Sequence, residues 1–151
     1  MKKINGKDYV EINNCFIPAD MVKEPKPING PDGIFPIVSE YATKDQEYFI
    51  LLTLNGNNSL IKKHEITKGL VNQSLAHPRE IFRAAIIDNA CYVIMVHNHP
   101  SGSLEISESD AMTTKRMVEA GKLLGIPVLD HVIISVTGSK SIRREMSNLF
   151  D

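Results

Sequence analysis

Cys91-Tyr-Val-Ile-Met-Val-His97-Asn-His99-Pro-Ser-Gly102-Ser-Leu-Glu-Ile-Ser107-Glu-Ser-Asp110 is the stretch that decides the fold. Residues 91–96 form an unbroken apolar run, as in a strand buried on both faces, and the run ends abruptly in polar residues. His97 and His99 stand at i and i+2, so on a strand their imidazoles leave the same face. Pro100 and Gly102 then break the strand into a loop. Ser107 has the character of a helix N-cap, with Asp110 three residues on in the first helical turn. The helix is expected to continue to residue 124, with Met112, Arg116, Met117, Ala120 and Leu124 along one side. Gly125 supplies the stop, and Pro127 lies beyond it.

Working outward, Tyr48-Phe-Ile-Leu-Leu-Thr-Leu54 has the composition of a buried strand. Asn55-Gly-Asn-Asn58 tolerates positive φ and reads as a turn, and residues 59–66 return, giving a β-hairpin. Pro78 suits a first helical turn, where its missing N–H costs nothing. Ile81, Phe82, Ala85 and Ile86 recur at helical spacing, so residues 78–89 are expected to be helical. Residues 128–136 form a further strand. The order hairpin, helix, strand, helix, strand indicates an α/β fold, a mixed β-sheet sandwiched by helices.

Residues 1–36 read differently. Residues 9–12 suit a short strand. Glu24-Pro-Lys-Pro-Ile-Asn-Gly-Pro-Asp-Gly33, with three prolines and two glycines, resists helix and central strand. The expectation is an extended N-terminal arm or linker over residues 1–36 and a domain over 37–151.

Bulk properties narrow the function. A formal net charge of −1 is no electrostatic footprint for DNA, which shows as a basic domain or stripe. The short cluster Lys140-Ser-Ile-Arg-Arg144 reads as a solvated face. Cys15 and Cys91 are far apart, and Cys91 opens an apolar run, so it is expected to be a buried small hydrophobe. Met1-Lys2-Lys3 leads into polar residues, so no secretory leader is expected. No apolar stretch approaches a membrane span. A cytoplasmic setting is the expectation.

The paired histidines need a reason. One buried histidine is commonly just hydrogen-bonded, but two on one face repel if both are charged, and a metal resolves the conflict. A catalytic zinc usually takes three protein ligands and keeps a fourth place for water. Asp110 is the candidate third ligand beside His97 and His99. Alternatively, Ser107 and Asp110 are a capping pair, with the carboxylate favoured by the helix dipole. His131 reads as a packed histidine able to support a ligand from behind, His77 as structural and His64 as exposed.

The stretch from His97 to Asp110 resembles the JAMM motif HxHPSGxxxPSxxD of the JAB/MPN metalloprotease family, in the form carried by RadC proteins. The two histidines, Pro100-Ser-Gly102, Ser107 and Asp110 all stand at that motif's spacing. The flanks His77-Pro-Arg-Glu80, residues 90–96 and Leu129-Asp-His-Val-Ile-Ile134 also look like RadC, and the resemblance covers residues 40–145. Ile106 departs from the motif's proline. RadC proteins also generally carry an N-terminal helix-hairpin-helix region, which these 151 residues are not expected to hold.

The resemblance implies a JAB/MPN, cytidine-deaminase-like architecture. It also implies one zinc held by His97, His99 and Asp110, a glutamate from an earlier strand as general base, and Ser107 as oxyanion donor. Position favours Glu47 as that glutamate, with Glu80 and Glu65 as rivals. The implied reaction is hydrolysis of an amide, peptide or isopeptide bond in a protein or peptide substrate. The alternative is a RadC-like DNA-repair-associated or scaffold protein without hydrolase activity. The near-neutral charge and the expected lack of a helix-hairpin-helix region disfavour direct DNA binding. An HNH nuclease spreads its residues over a ββα unit, cupins are all-β, and amidohydrolase barrels need about 250 residues.

Overall fold

The computed structural model describes residues 2–12, 15–19, 26–69 and 76–151. Its centre is a five-stranded mixed sheet. Strands β4 (Glu47–Leu54) and β5 (Leu60–Gly69) form the hairpin expected from the sequence. Strand β6 (Tyr92–Asn98) lies antiparallel to β4 on its other side, and β7 (Val128–Ser135) runs parallel to β6. A fifth strand, β8 (Gly138–Ser141), lies antiparallel to β7 and completes the order β5-β4-β6-β7-β8. The parallel β6–β7 pair requires a crossover, which helix α3 (Glu108–Leu124) supplies.

Strand parity sorts the core. Phe49, Leu51, Val93 and Met95 face α3 and helix α2 (Pro78–Ile87), where Ile81, Phe82, Met117 and Val118 meet them. Ile50, Leu52, Ile94, Val96, Val132 and Ile134 face the opposite side. There they are covered by Ile28, Ile34 and the short helix α1 (Phe35–Val38) with the turn that follows it. Both faces are thus buried, which is why these strands are continuous apolar runs.

The extended arm expected over 1–36 is corrected. Strands β1 (Lys2–Ile4), β2 (Lys7–Ile12) and β3 (Cys15–Pro18) form a three-stranded antiparallel sheet. Asn5 and Gly6, both at positive φ, make the two-residue turn of its first hairpin. Ile34 is buried in the core of the larger sheet. Glu24 and Pro25 of the proline-rich stretch lie outside the described residues.

Other expectations also change. Cys91 is exposed, because the strand starts one residue later and Cys91 completes a turn after Asn89, which has φ 52°. His64 is not a free surface residue: its Nε2 pairs with Asp88, whose carboxylate also accepts from Thr53 at 2.7 Å. In the cluster 140–144, Ser141 and Ile142 are buried, with Ser141 capping a short helix α4 (Ile142–Glu145).

The inner face of α3 is also rotated from the apolar pattern. It buries Asp110, Thr114, Met117, Val118 and Gly121, while Met112 is 66% exposed. Two polar residues occupy the inner face near the helix start, where a hydrophobic period finds nothing. At the other end Gly121 packs against the chain that leaves the helix: a Cβ there would sit 2.5 Å from the backbone oxygen of Ile126. Gly121→Ala is therefore expected to destabilise the protein by about 1–2 kcal/mol, the overpacking cost exceeding the gain in helix propensity. Urea unfolding checks it.

Candidate metal centre

Parity brings the chemistry together. Glu47 lies on the Phe49 side of β4, His97 on the Met95 side of β6, and both faces look toward α3. The antiparallel register pairs Phe49 with His97, which sets Glu47 at the edge of the same patch. Glu47 is 7% exposed, Asp110 2%, and His97 fully buried.

The HxH loop is held from β7. The His99 N–H donates to the carbonyl of Ile134, and the Gly102 N–H returns to the carbonyl of His99, closing a turn with Pro100 at its second position. Gly102 takes φ 86°, which favours glycine. Its carbonyl accepts from the hydroxyls of Ser135 and Thr137. Ser107 and Asp110 form a full capping box, each side chain bonding the other's backbone N–H at 3.0 Å. The capping reading and the converging carboxylate are therefore both present: the cap fixes the rotamer that points Asp110 inward.

Three donor groups meet. His97 Nε2 lies 3.0 Å from His99 Nε2, and Asp110 reaches them with Oδ1 at 3.0 Å and Oδ2 at 3.3 Å respectively. Glu47 Oε1 stands 3.9 Å from His97 Nε2. Glu47, His97 and His99 offer ligand atoms within 4.8 Å of one another, an arrangement that could hold a metal ion. Burial pushes the Glu47 carboxyl up, and Asp110 adds to this against the two histidines. For Asp110 burial acts upward too, but hydrogen bonds from His97, His99 and Ser107 outweigh it and hold the carboxyl well below the usual range.

Behind the patch stand groups that sequence reading missed. Asn98, fully buried, accepts from the Tyr48 N–H at 2.6 Å and donates to the Gln46 carbonyl at 2.8 Å. These are the backbone groups on either side of Glu47. The main chain at His99 has turned to β7, so the Asn98 carboxamide supplies the donor and acceptor that a continuing β6 would offer. His131, placed in the sequence as a support, is buried with Nε2 2.7 Å from His97 Nδ1 and Nδ1 2.6 Å from the hydroxyl of Thr114. Burial pushes its imidazole well below the usual histidine range. Pattern gave no signal for Thr114 or Asn98, since a lone polar residue in a helix or between two histidines has many uses.

The other sequence candidates do not reach the patch. Glu80 is exposed in the first turn of α2, and Glu65 accepts from the Tyr41 hydroxyl on the far strand of the hairpin. His77 caps α2 by accepting from the Arg79 N–H.

Comparison with known proteins gives the family. A family model described as RadC-like JAB domain matches residues 28–147. The chain belongs to that family. A UPF0758 protein of Finegoldia magna is 47% identical over 120 residues, covering 79% of this chain and 54% of the relative. One from Methanospirillum hungatei is 46% identical over 133 residues, 87% of this chain and 58% of the relative. One from Enterococcus faecalis is 36% identical over 145 residues, 96% of this chain and 62% of the relative. The chain thus spans little more than half the length of these relatives. The RadC-like JAB domain matched here includes every residue of the patch and begins where Ile28 joins the core. Among the described residues no helix is long and apolar enough to cross a membrane.

Proposed function

We propose that this RadC-like JAB domain is a zinc-dependent hydrolase of the JAMM type, cleaving an amide, peptide or isopeptide bond. The observation that carries the reading is the convergence of two imidazole nitrogens and a carboxylate, 3.0–3.3 Å apart, with a second carboxylate 3.9 Å from one of them. The donor set fits zinc. Four ligands about 2.0–2.1 Å from a tetrahedral centre are separated by about 3.3 Å, close to these spacings. Two neutral nitrogens and one carboxylate are also the ligand types of a catalytic rather than a structural site.

His97, His99 and Asp110 would hold the ion, and when bound it supplies Lewis acidity and lowers the pKa of a water from 15.7 towards about 7. Glu47 would take a proton from the attacking water as its oxygen adds to a carbonyl carbon. It then returns the proton to the leaving amine. Burial holds its carboxyl above the usual carboxylate range, which favours taking up a proton. The Ser107 Oγ accepts the Asp110 N–H, so its own proton is free to donate to the developing oxyanion. Ser107 is exposed, and the His99 side chain is 16% exposed against none for His97. The substrate carbonyl therefore approaches from the His99 and Ser107 side, and Glu47 and Asn98 stand behind.

The test is metal dependence. Purified protein is expected to carry about one zinc per chain, the single site that these ligands make. A chelator should abolish hydrolysis in a screen of peptide and isopeptide-linked substrates, and zinc should restore it. Protein that takes up no zinc would sink the proposal.

A further inference from the structure

We propose that His131 and Thr114 are positioning residues that lock the proton of His97 onto Nδ1, so that its Nε2 lone pair always faces the metal. The proposal rests on His97 being a ligand, and it follows from counting protons along one chain of contacts. Thr114 has a single hydroxyl proton. Its Oγ1 lies 2.7 Å from the backbone carbonyl oxygen of Asp110, which has no proton to give. The hydroxyl therefore donates there and is left as an acceptor toward His131 Nδ1, 2.6 Å away. His131 thus carries its proton on Nδ1.

The His131 ring is fully buried, and its nitrogens touch a hydroxyl and another imidazole but no carboxylate. A neutral imidazole has one proton to place, and the Thr114 hydroxyl, spent on the helix carbonyl, takes it at Nδ1. Its Nε2 is then an acceptor, and the 2.7 Å contact to His97 is made by the proton on His97 Nδ1. His97 Nε2, on the side of His99 and Asp110, is then the nitrogen whose lone pair an ion would take. His99 reaches the same state by a shorter route, donating from Nδ1 to the Ser103 carbonyl at 2.9 Å.

A free imidazole divides between two tautomers, and the form protonated on Nε2 presents no lone pair to the ion. A carboxylate behind His97 would fix the tautomer but add a negative charge. A neutral histidine anchored on a helix carbonyl fixes it without one. The anchor is on α3, the helix that also delivers Asp110, so one element sets both the ligand carboxylate and the tautomer of the ligand opposite it.

The test reads tautomers directly, by proton–nitrogen correlation spectra of protein labelled with nitrogen-15 in histidine. Both metal-free and zinc-loaded wild type are expected to show His131 protonated on Nδ1 with Nε2 bare. Thr114→Val removes the acceptor and should move the His131 proton to Nε2. It should also weaken zinc binding, measured by competition with a chelator, by about tenfold to a hundredfold, the usual effect of losing an outer hydrogen bond. Thr114→Ser keeps the hydroxyl and should restore both. His131 protonated on Nε2 in the wild type, or Thr114→Val binding zinc as tightly as wild type, overturns the proposal. If Thr114→Val fails to fold, the wild-type spectrum alone decides. If the wild type binds no zinc, the ligand reading fails while the metal-free spectrum still shows whether the proton chain exists.

Discussion

Glu47→Gln is expected to keep its zinc and lose hydrolysis by about 10²–10⁴-fold, the range of a general base. The carboxamide is isosteric, so the backbone clamp from Asn98 to Gln46 and Tyr48 has no reason to open. The nearest approach of Glu47 to the histidine pair is 3.9 Å, longer than the 3.0–3.3 Å contacts among His97, His99 and Asp110. Glu47 is thus set back from the other three groups, which is the basis for expecting it to handle a proton rather than hold the ion. Metal analysis beside turnover of any amide or isopeptide substrate separates the two functions. A Glu47→Gln protein that hydrolyses at the wild-type rate removes Glu47 from the mechanism. Glu80→Gln, on the exposed first turn of α2, is the control and should be fully active.

Asp110→Ala is expected to lose zinc by more than about a hundredfold in affinity, since loss of outer-shell bonds alone costs 10–100-fold. The substitution removes the only anion among the three converging donors and leaves His97 and His99 facing each other with Nε2 atoms 3.0 Å apart. It also deletes half of the capping box by freeing the Ser107 N–H, at a cost of about 1 kcal/mol to the metal-free fold. Asp110→Asn separates the effects: it can still accept from Ser107, but brings no charge to the ion. Chelator competition reads the affinity, and denaturant unfolding with a chelator present reads the cap. Equal zinc affinity in Asp110→Asn and wild type would show that the carboxylate is not a ligand.

The hairpin, both long helices, the two central strands and the Gly125 stop were legible because each rests on a short-range pattern. An apolar run buried on two faces, a period of 3.6, a capping serine or a left-handed glycine needs only a few neighbouring residues to be read. The first hairpin was equally local, in Asn5-Gly6, but the proline-rich stretch after it drew the reading toward an arm. The inner face of α3 went astray for a functional reason. Asp110 and Thr114 are turned inward by the site, so apolar periodicity placed Met112 inside although it is exposed.

Local sequence is enough to set His97 at the end of the apolar strand, His99 just past it, and a carboxylate in the first turn of the next helix. These are consequences of where an apolar run ends and of a three-residue cap, within 14 residues of chain. That Glu47, fifty residues upstream of His97, stands beside it follows from the packed sheet alone. The same holds for Asn98 bracketing Glu47 and for His131 and Thr114 closing behind His97. Their meeting depends on the antiparallel register of β4 on β6, the parallel register of β6 on β7 and the seat of α3 on the sheet. Register between distant strands is fixed by which apolar faces interlock, and a one-residue slip would turn Glu47 to the opposite face.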